Sequence, residues 1–186
     1  MEEHEEPPAA AEPPISRSDA LAAAVATLNA RLQEQAPGEY EIRLEDALSI
    51  KQTVHSFHEG SPARRVPDWQ WLQLYHRRSK KPEGWLFSLR FRQRASVLAM
   101  GTIQLQHDYV AVDRIERRTD QPELKGNAAP IALAFAEIVA RTLGLRQVRI
   151  NDPFNELLPY YEQKLGFTPV RHADGTRVQY LYKDLT

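Results

Sequence analysis

The sequence predicts an α+β domain built on a mixed, mostly antiparallel sheet of about seven strands with helices on both faces. Three observations predict it. Trp85–Arg92, Ser96–Gln106 and Tyr109–Glu116 alternate or run apolar with short breaks at Gln93-Arg94 and His107-Asp108, the pattern of an antiparallel meander. From Ile131 to Val170 the pattern changes to helix, strand, helix, strand, which adds one parallel pair to the sheet. Near the end, Thr168–His172 and Arg177–Tyr182 flank Ala173-Asp174-Gly175, a hairpin signal.

The remaining elements follow in chain order. Residues 1–15 are rich in Glu, Pro and Ala, lack apolar periodicity and are expected to be disordered. Ser16 or Ser18 can cap a helix running to about Gln35, with Leu21, Val25, Leu28 and Leu32 on one face; Pro37-Gly38 stops it. Residues 16–36 therefore form a helical extension, expected to cover the domain or to mediate a homodimer, ahead of the main unit at 39–186. Tyr40–Leu44 alternates as a strand, Asp46 is placed to cap a helix over 47–58, and a short aromatic helix spans about Trp69–Arg77. The run Ile131–Leu143 is apolar on most sides, with Glu137 and Arg141 as an i,i+4 pair on its narrow wet stripe, so it is expected to lie against the sheet. Gly144 ends it, and Gln147–Ile150 is the next strand.

Composition excludes several function classes. At 186 residues the chain suggests one domain, and 42% hydrophobic and 26% charged residues place it among soluble globular proteins. The absence of Cys rules out disulfides, Cys-based metal sites and a Cys nucleophile. No apolar run nears the roughly 20 residues that span a bilayer. The acidic N-terminus is not a secretory signal, so a cytoplasmic protein with no membrane partner is expected. His55 and His58 could share a helix face, but two histidines without a third ligand do not make a metal site, and none is expected. Net charge is −1 and uneven: Arg64 to Arg118 holds twelve Lys/Arg against five Asp/Glu. That surplus can attract anions or form a solvated face; nucleic acid is not the expected partner.

The stretch Pro122–Val170 organises the chain. Lys125-Gly126-Asn127-Ala128-Ala129-Pro130 opens the apolar helix, and Asn155, Leu158, Tyr161 and Leu165-Gly166-Phe167 follow in a second helix and its exit. A helix start leaves main-chain N–H groups without partners and carries partial positive charge, and small residues let a phosphate reach it. The stretch resembles the GCN5-related N-acetyltransferase (GNAT) family in two motifs. One is the small-residue loop before a helix, which in the family reads Arg/Gln-x-x-Gly-x-Gly/Ala. The other is Asn-x-x-(apolar)-x-x-Tyr followed by Leu-Gly-Phe. The second is nearly intact. The first departs in either register: with Glu123 in the Arg/Gln position a carboxylate faces the phosphates, and with Lys125 there, Ala128 and Pro130 replace the glycines. The second register is preferred for its charge and helix length.

The resemblance implies an acyl-CoA N-acyltransferase fold and direct transfer of acetyl from acetyl-CoA, as cosubstrate, to an amine acceptor. It places Lys125, Gly126, Asn127, Ala128 and Ala129 at the coenzyme phosphates, Asn155, in the turn before the second helix, as a further coenzyme contact, and the main chain of Ile115-Glu116-Arg117 at the pantetheine arm. Tyr161 matches the acid that protonates the leaving thiolate, since a phenol is protonated at neutral pH. Tyr160 is its rival and is expected to face the core. Glu116 is the first candidate for the base that takes the amine proton, and Asp113 the second. Trp69, Trp71 and Tyr75 are candidates for a substrate wall, although aromatics at helical spacing also build cores. Pro159 fits if the regular helix begins at 158 or 159. The departing phosphate loop keeps a second reading open: a non-catalytic binding or interaction module of the same fold.

Overall fold

The computed structural model describes residues 15–35, 39–58, 70–78, 80, 83–93, 96–121 and 124–185. The expected tail thus lies outside the described residues except for Ile15, as do Trp69, Glu123 and the segment 59–69. The elements run α1 (Arg17–Gln35), β1 (Tyr40–Leu44), α2 (Ile50–His58), α3 (Trp71–Arg78), β2 (Gly84–Phe91), β3 (Val97–Leu105), β4 (Tyr109–Arg117), α4 (Ala128–Thr142), β5 (Gln147–Asn151), α5 (Leu158–Leu165), β6 (Thr168–Arg171) and β7 (Val178–Asp184). The strands form one seven-stranded sheet in the order β1-β2-β3-β4-β5-β7-β6. Every neighbouring pair is antiparallel except β4 and β5. The expected mixed, mostly antiparallel sheet is therefore present, with α1 and α4 on one face and α2 and α3 on the other.

Helix α1 is capped as its sequence predicts: Ser16 Oγ accepts the Asp19 N–H at 3.1 Å. It buries Ala20, Leu21, Ala24, Leu28 and Leu32, a three-and-four spacing that lays one stripe on α4 and β1. Asn29 on this helix donates to Ile42 O at 3.0 Å and accepts the Ile42 N–H at 2.8 Å. Those groups would otherwise be the open edge of β1, so the extension also closes a sheet edge. Asp46 does accept the Leu48 and Ser49 N–H groups, at 2.9 and 2.8 Å, but residues 47–49 form a turn and α2 starts only at Ile50.

Two buried clusters hold the layers. The larger joins α1, α4 and one sheet face, and includes Leu28, Phe87, Leu98, Leu133, Phe135, Val139, Val148 and Leu181. The smaller, Ile50, Phe57, Trp71, Leu86, Val97 and Met100, lies under α2 and α3. Phe87 fits only because β3 has Gly101 opposite: a Cβ there would lie 2.2 Å from Phe87 Cζ. Glu45, 6% exposed, anchors α2 to the sheet. It accepts from Ser49 (2.8 Å) and Thr53 (2.7 Å) of the α2 region, and from Ser88 (2.5 Å) and Arg90 (2.9 Å) of β2. A buried carboxylate with four donors is satisfied, as burial requires.

Helix α4 begins at Ala128, three residues earlier than the expected run from Ile131, so Pro130 is its third residue. Proline is tolerated there because first-turn N–H groups have no partner within the helix. Pro159 sits likewise in the first turn of α5, and Gly166 ends that helix at φ +72°, with the Phe167 N–H returning to Tyr161 O at 3.1 Å.

Candidate active site

The site forms where the sheet splits. β4 and β5 pair in parallel from Tyr109–Gln147 to Val112–Ile150 and no further. Beyond that point Arg114–Arg117 stay paired to β3 alone. A register shift sits at the split: Val112 faces Ile103 and Arg114 faces Thr102, which leaves Asp113 as the extra residue of a bulge. Asp113 is held from two sides, by Arg78 at the end of α3 and by the Asn151 side-chain amide at 2.7 Å. This side-chain clasp joins the two strands just where their main-chain ladder stops.

Past the clasp opens a cleft of about 340 Å³, lined by Val112–Arg117 of β4, by Lys125, Gly126, Ala128 and Ala129, by Ile150–Phe154, and by Leu157, Tyr160 and Tyr161. One wall is thus a strand edge with no neighbouring strand. The other is the residues that follow β5 and the start of α5. The N-terminus of α4 closes one end. Gly126 has φ +86°, and a Cβ there would meet nothing within 4 Å, so the loop backbone is open on that side. The Ala128 and Ala129 N–H groups have no acceptor within the helix and stand beside the exposed Lys125. The Tyr160 hydroxyl donates to Gly126 O at 3.1 Å and pins the loop to α5; burial pushes its phenol pKa up.

Most of the sequence-selected residues meet in this cleft. Ile115, Glu116, Arg117, Lys125, Gly126, Ala128, Ala129 and Tyr161 all line it. Asn127 and Asn155 are exposed and do not; Asn155 opens a 3-10 turn, Asn155–Leu157. Of the tyrosine pair, Tyr161 is the member within the core cluster, at 7% exposure, whereas Tyr160 only packs against it, the reverse of the expected order. The reason is local: α5 starts at Leu158, and that start turns Tyr160 toward the loop at Gly126.

Glu116 is 2% exposed, and its Oε2 accepts the Trp71 indole N–H at 2.6 Å. Trp71 is therefore not on a substrate wall. It is 1% exposed, belongs to the smaller core cluster, packs edge-on to Phe57 and buttresses Glu116 from beneath. Tyr75 packs half-buried against the same cluster and does not line the cleft; Trp69 is outside the described residues. Arg118 closes the far end of β4, with Asp120 at 2.6 Å and Ser56 O of α2 at 3.1 Å. Its guanidinium holds the Asp120 carboxyl below the usual carboxylate value. The charged cleft residues balance, Arg114, Arg117 and Lys125 against Asp113, Glu116 and Asp152, so the basic surplus of the segment does not make a basic cleft.

Sequence reasoning missed Asn151, Asp152 and Phe154 as cleft residues. A signal existed at Asp152, whose φ of +46° marks a sharp exit from β5, in the dipeptide Asp152-Pro153. Phe154 is 44% exposed, an aromatic ring left at the cleft rim. Among the described residues there is no group of three or more His, Asp or Glu that could hold a metal ion, and no helix long and apolar enough to cross a membrane.

No family model and no curated protein matches the sequence. Solved structures do match the fold. The chain is similar to the ribosomal-protein-S18-alanine N-acetyltransferase of Escherichia coli, with a TM-score of 0.53 and 14% identity over 78% of this chain and 92% of that one. It is similar to an acetyltransferase of the GNAT family from Staphylococcus aureus, with a TM-score of 0.54 and 10% identity over 79% and 99%. It is also similar to mutant forms of the spermidine/spermine N-acetyltransferase of Vibrio cholerae, with a TM-score of 0.54 and 12% identity over 78% and 94%. The sheet order, the split between β4 and β5 and these neighbours agree, and the chain has the fold of the GCN5-related N-acetyltransferases.

Proposed function

We propose that the protein is an acetyl-CoA-dependent N-acetyltransferase that transfers acetyl to an amine by direct attack. The observation that carries this reading is the continuity of the cleft: the β4 edge at Arg114–Arg117 that β5 does not cover, the loop and helix start at Lys125, Gly126, Ala128 and Ala129, and Tyr161 all line one space. A helix start of small residues beside a lysine suits a diphosphate. A strand edge without a neighbour suits the amide-bearing pantetheine arm, by the hydrogen bonding that pairs strands.

In this reading the residues divide the work by chemistry. Lys125 and the Gly126, Ala128 and Ala129 N–H groups hold the phosphates. The main chain of Ile115–Arg117 aligns the arm. Glu116 takes the proton that the amine loses as its nitrogen bonds the acetyl carbon. Tyr161 gives its proton to the sulfur as the carbon–sulfur bond breaks. The bond from Trp71 keeps the Glu116 carboxylate in one orientation during proton transfer.

A ligand that binds only the folded state raises the melting temperature, and acetyl-CoA is expected to do so. Gly126→Glu puts a carboxylate into the open side of the phosphate corner and should abolish the shift. A wild-type protein that shows no shift and no calorimetric heat at millimolar acetyl-CoA would favour the second reading, a binding module of this fold without a coenzyme. One observation supports that second reading: Pro130, third in α4, has no N–H to offer a phosphate.

A further inference from the structure

On the α2/α3 side of the sheet, α2 and α3 pack chiefly on β3 and β2, and no helix among the described residues covers β5 and β7 there. Strand alternation puts Gln147, Arg149 and Asn151 of β5 on that face, beside Asp184, Tyr182 and Tyr180 of β7. Arg149 is immobilised on three sides. Its guanidinium lies 3.7 Å from the centroid of the Tyr109 ring and 4.5 Å from that of Tyr180, and its Nε donates to Gln147 Oε1 at 2.5 Å. Gln147 is fixed in turn by donating to Asp184 at 2.9 Å. Among the described residues neither Nη nitrogen of Arg149 has a carboxylate or carbonyl partner.

A guanidinium clamped between two rings has paid its ordering entropy in advance, and its open edge matches the planar oxygens of a carboxylate or phosphate. Its position also matters. Asn151, two residues along the same face, lines the cleft and bonds Asp113. Two residues of strand are about 7 Å. We infer that Arg149, framed by Tyr109 and Tyr180, is an anion subsite for the acceptor, selecting an amine that carries a carboxylate or phosphate remote from its nitrogen. The inference rests on the acetyltransferase reading for the reaction, but its anion site is testable without turnover.

The test uses the full chain and matched probes: 6-aminohexanoate, 5-aminopentyl phosphate and hexylamine, with acetyl-CoA and release of free thiol as the readout. Charge-assisted hydrogen bonds of this kind correspond to a preference of about 10-fold or more in kcat/KM for at least one anionic probe over hexylamine. Arg149→Gln should reduce that ratio to near one through KM, and Arg149→Lys, which keeps charge but not the planar fork, should leave an intermediate ratio. The phosphate and carboxylate arms identify which anion is taken. In parallel, binding of the two anionic probes without acetyl-CoA is followed by NMR in wild type and Arg149→Gln. Weakening in the variant supports the subsite; equal binding, or none in either protein, overturns it. Hexylamine turned over as well as both anions overturns it too. Loss of turnover and of the acetyl-CoA melting shift, with anion binding still dependent on Arg149, would instead remove the acetyltransferase reading and keep the site.

Discussion

The bond between Trp71 and Glu116 ties the α3 layer to the cleft floor, and Trp71→Phe tests it directly. Both residues are buried, at 1% and 2% exposure, and the indole N–H meets the carboxylate at 2.6 Å. A hydrogen bond to a charged group contributes about 1.5–3 kcal/mol. The smaller ring forfeits roughly 1 kcal/mol more of apolar contact. The variant should therefore lose about 2.5–4 kcal/mol, which for a chain of this size lowers the melting temperature by roughly 5–15 °C. Packing loss alone could mimic part of that, so the decisive assay is a double-mutant cycle with Glu116→Met, read by guanidinium unfolding at constant m-value. Either single change takes one partner from the bond, whereas the double change removes both. The double variant should then be less destabilised than the sum of the singles by about 1.5–3 kcal/mol. Additivity to within about 0.5 kcal/mol would refute the bond and, with it, the buttressing role given to Trp71.

Other outcomes are expected. Gly101→Ala drives a methyl into the Phe87 ring, which is itself packed edge-on to Phe135 at 5.7 Å, and should cost about 1–3 kcal/mol in chemical unfolding. Tyr161→Phe should lower kcat by roughly 100-fold with little change in acetyl-CoA affinity. Tyr160→Phe, which loses the bond to Gly126 O, should do the converse, weakening acetyl-CoA binding about 3- to 10-fold in calorimetry. Asp120 has its pKa lowered by Arg118, so the pair adds stability above the ordinary value of 3.8, and that stability is lost as pH falls through the lower folded value. Asp120→Asn should be less stable than wild type at neutral pH, with the difference shrinking in acid below about pH 4 as melting temperatures are compared.

The elements could be read from the chain because each is encoded by neighbours a few residues apart. The 21, 28, 32 spacing of leucines became the buried stripe of α1, the apolar run after Pro130 became the central helix, and the three alternating segments became the meander. The small-residue corner was legible for the same reason: Gly126, Ala128 and Ala129 adjoin the helix start in sequence, and Tyr161, which also lines the cleft, stands out by its motif spacing. The contacts that periodicity does not encode join residues far apart in the chain. Trp71 and Glu116 are 45 positions apart, Asp113 and Asn151 are 38 apart, and Tyr160 and Gly126 are 34 apart. Whether Trp71 faced a substrate or the core depended on where α3 crosses the sheet, and which of two adjacent tyrosines is buried depended on where α5 begins. Periodicity fixes which residues share a face, but which residue meets which across the sheet is set by register, bulges and the point at which two strands part.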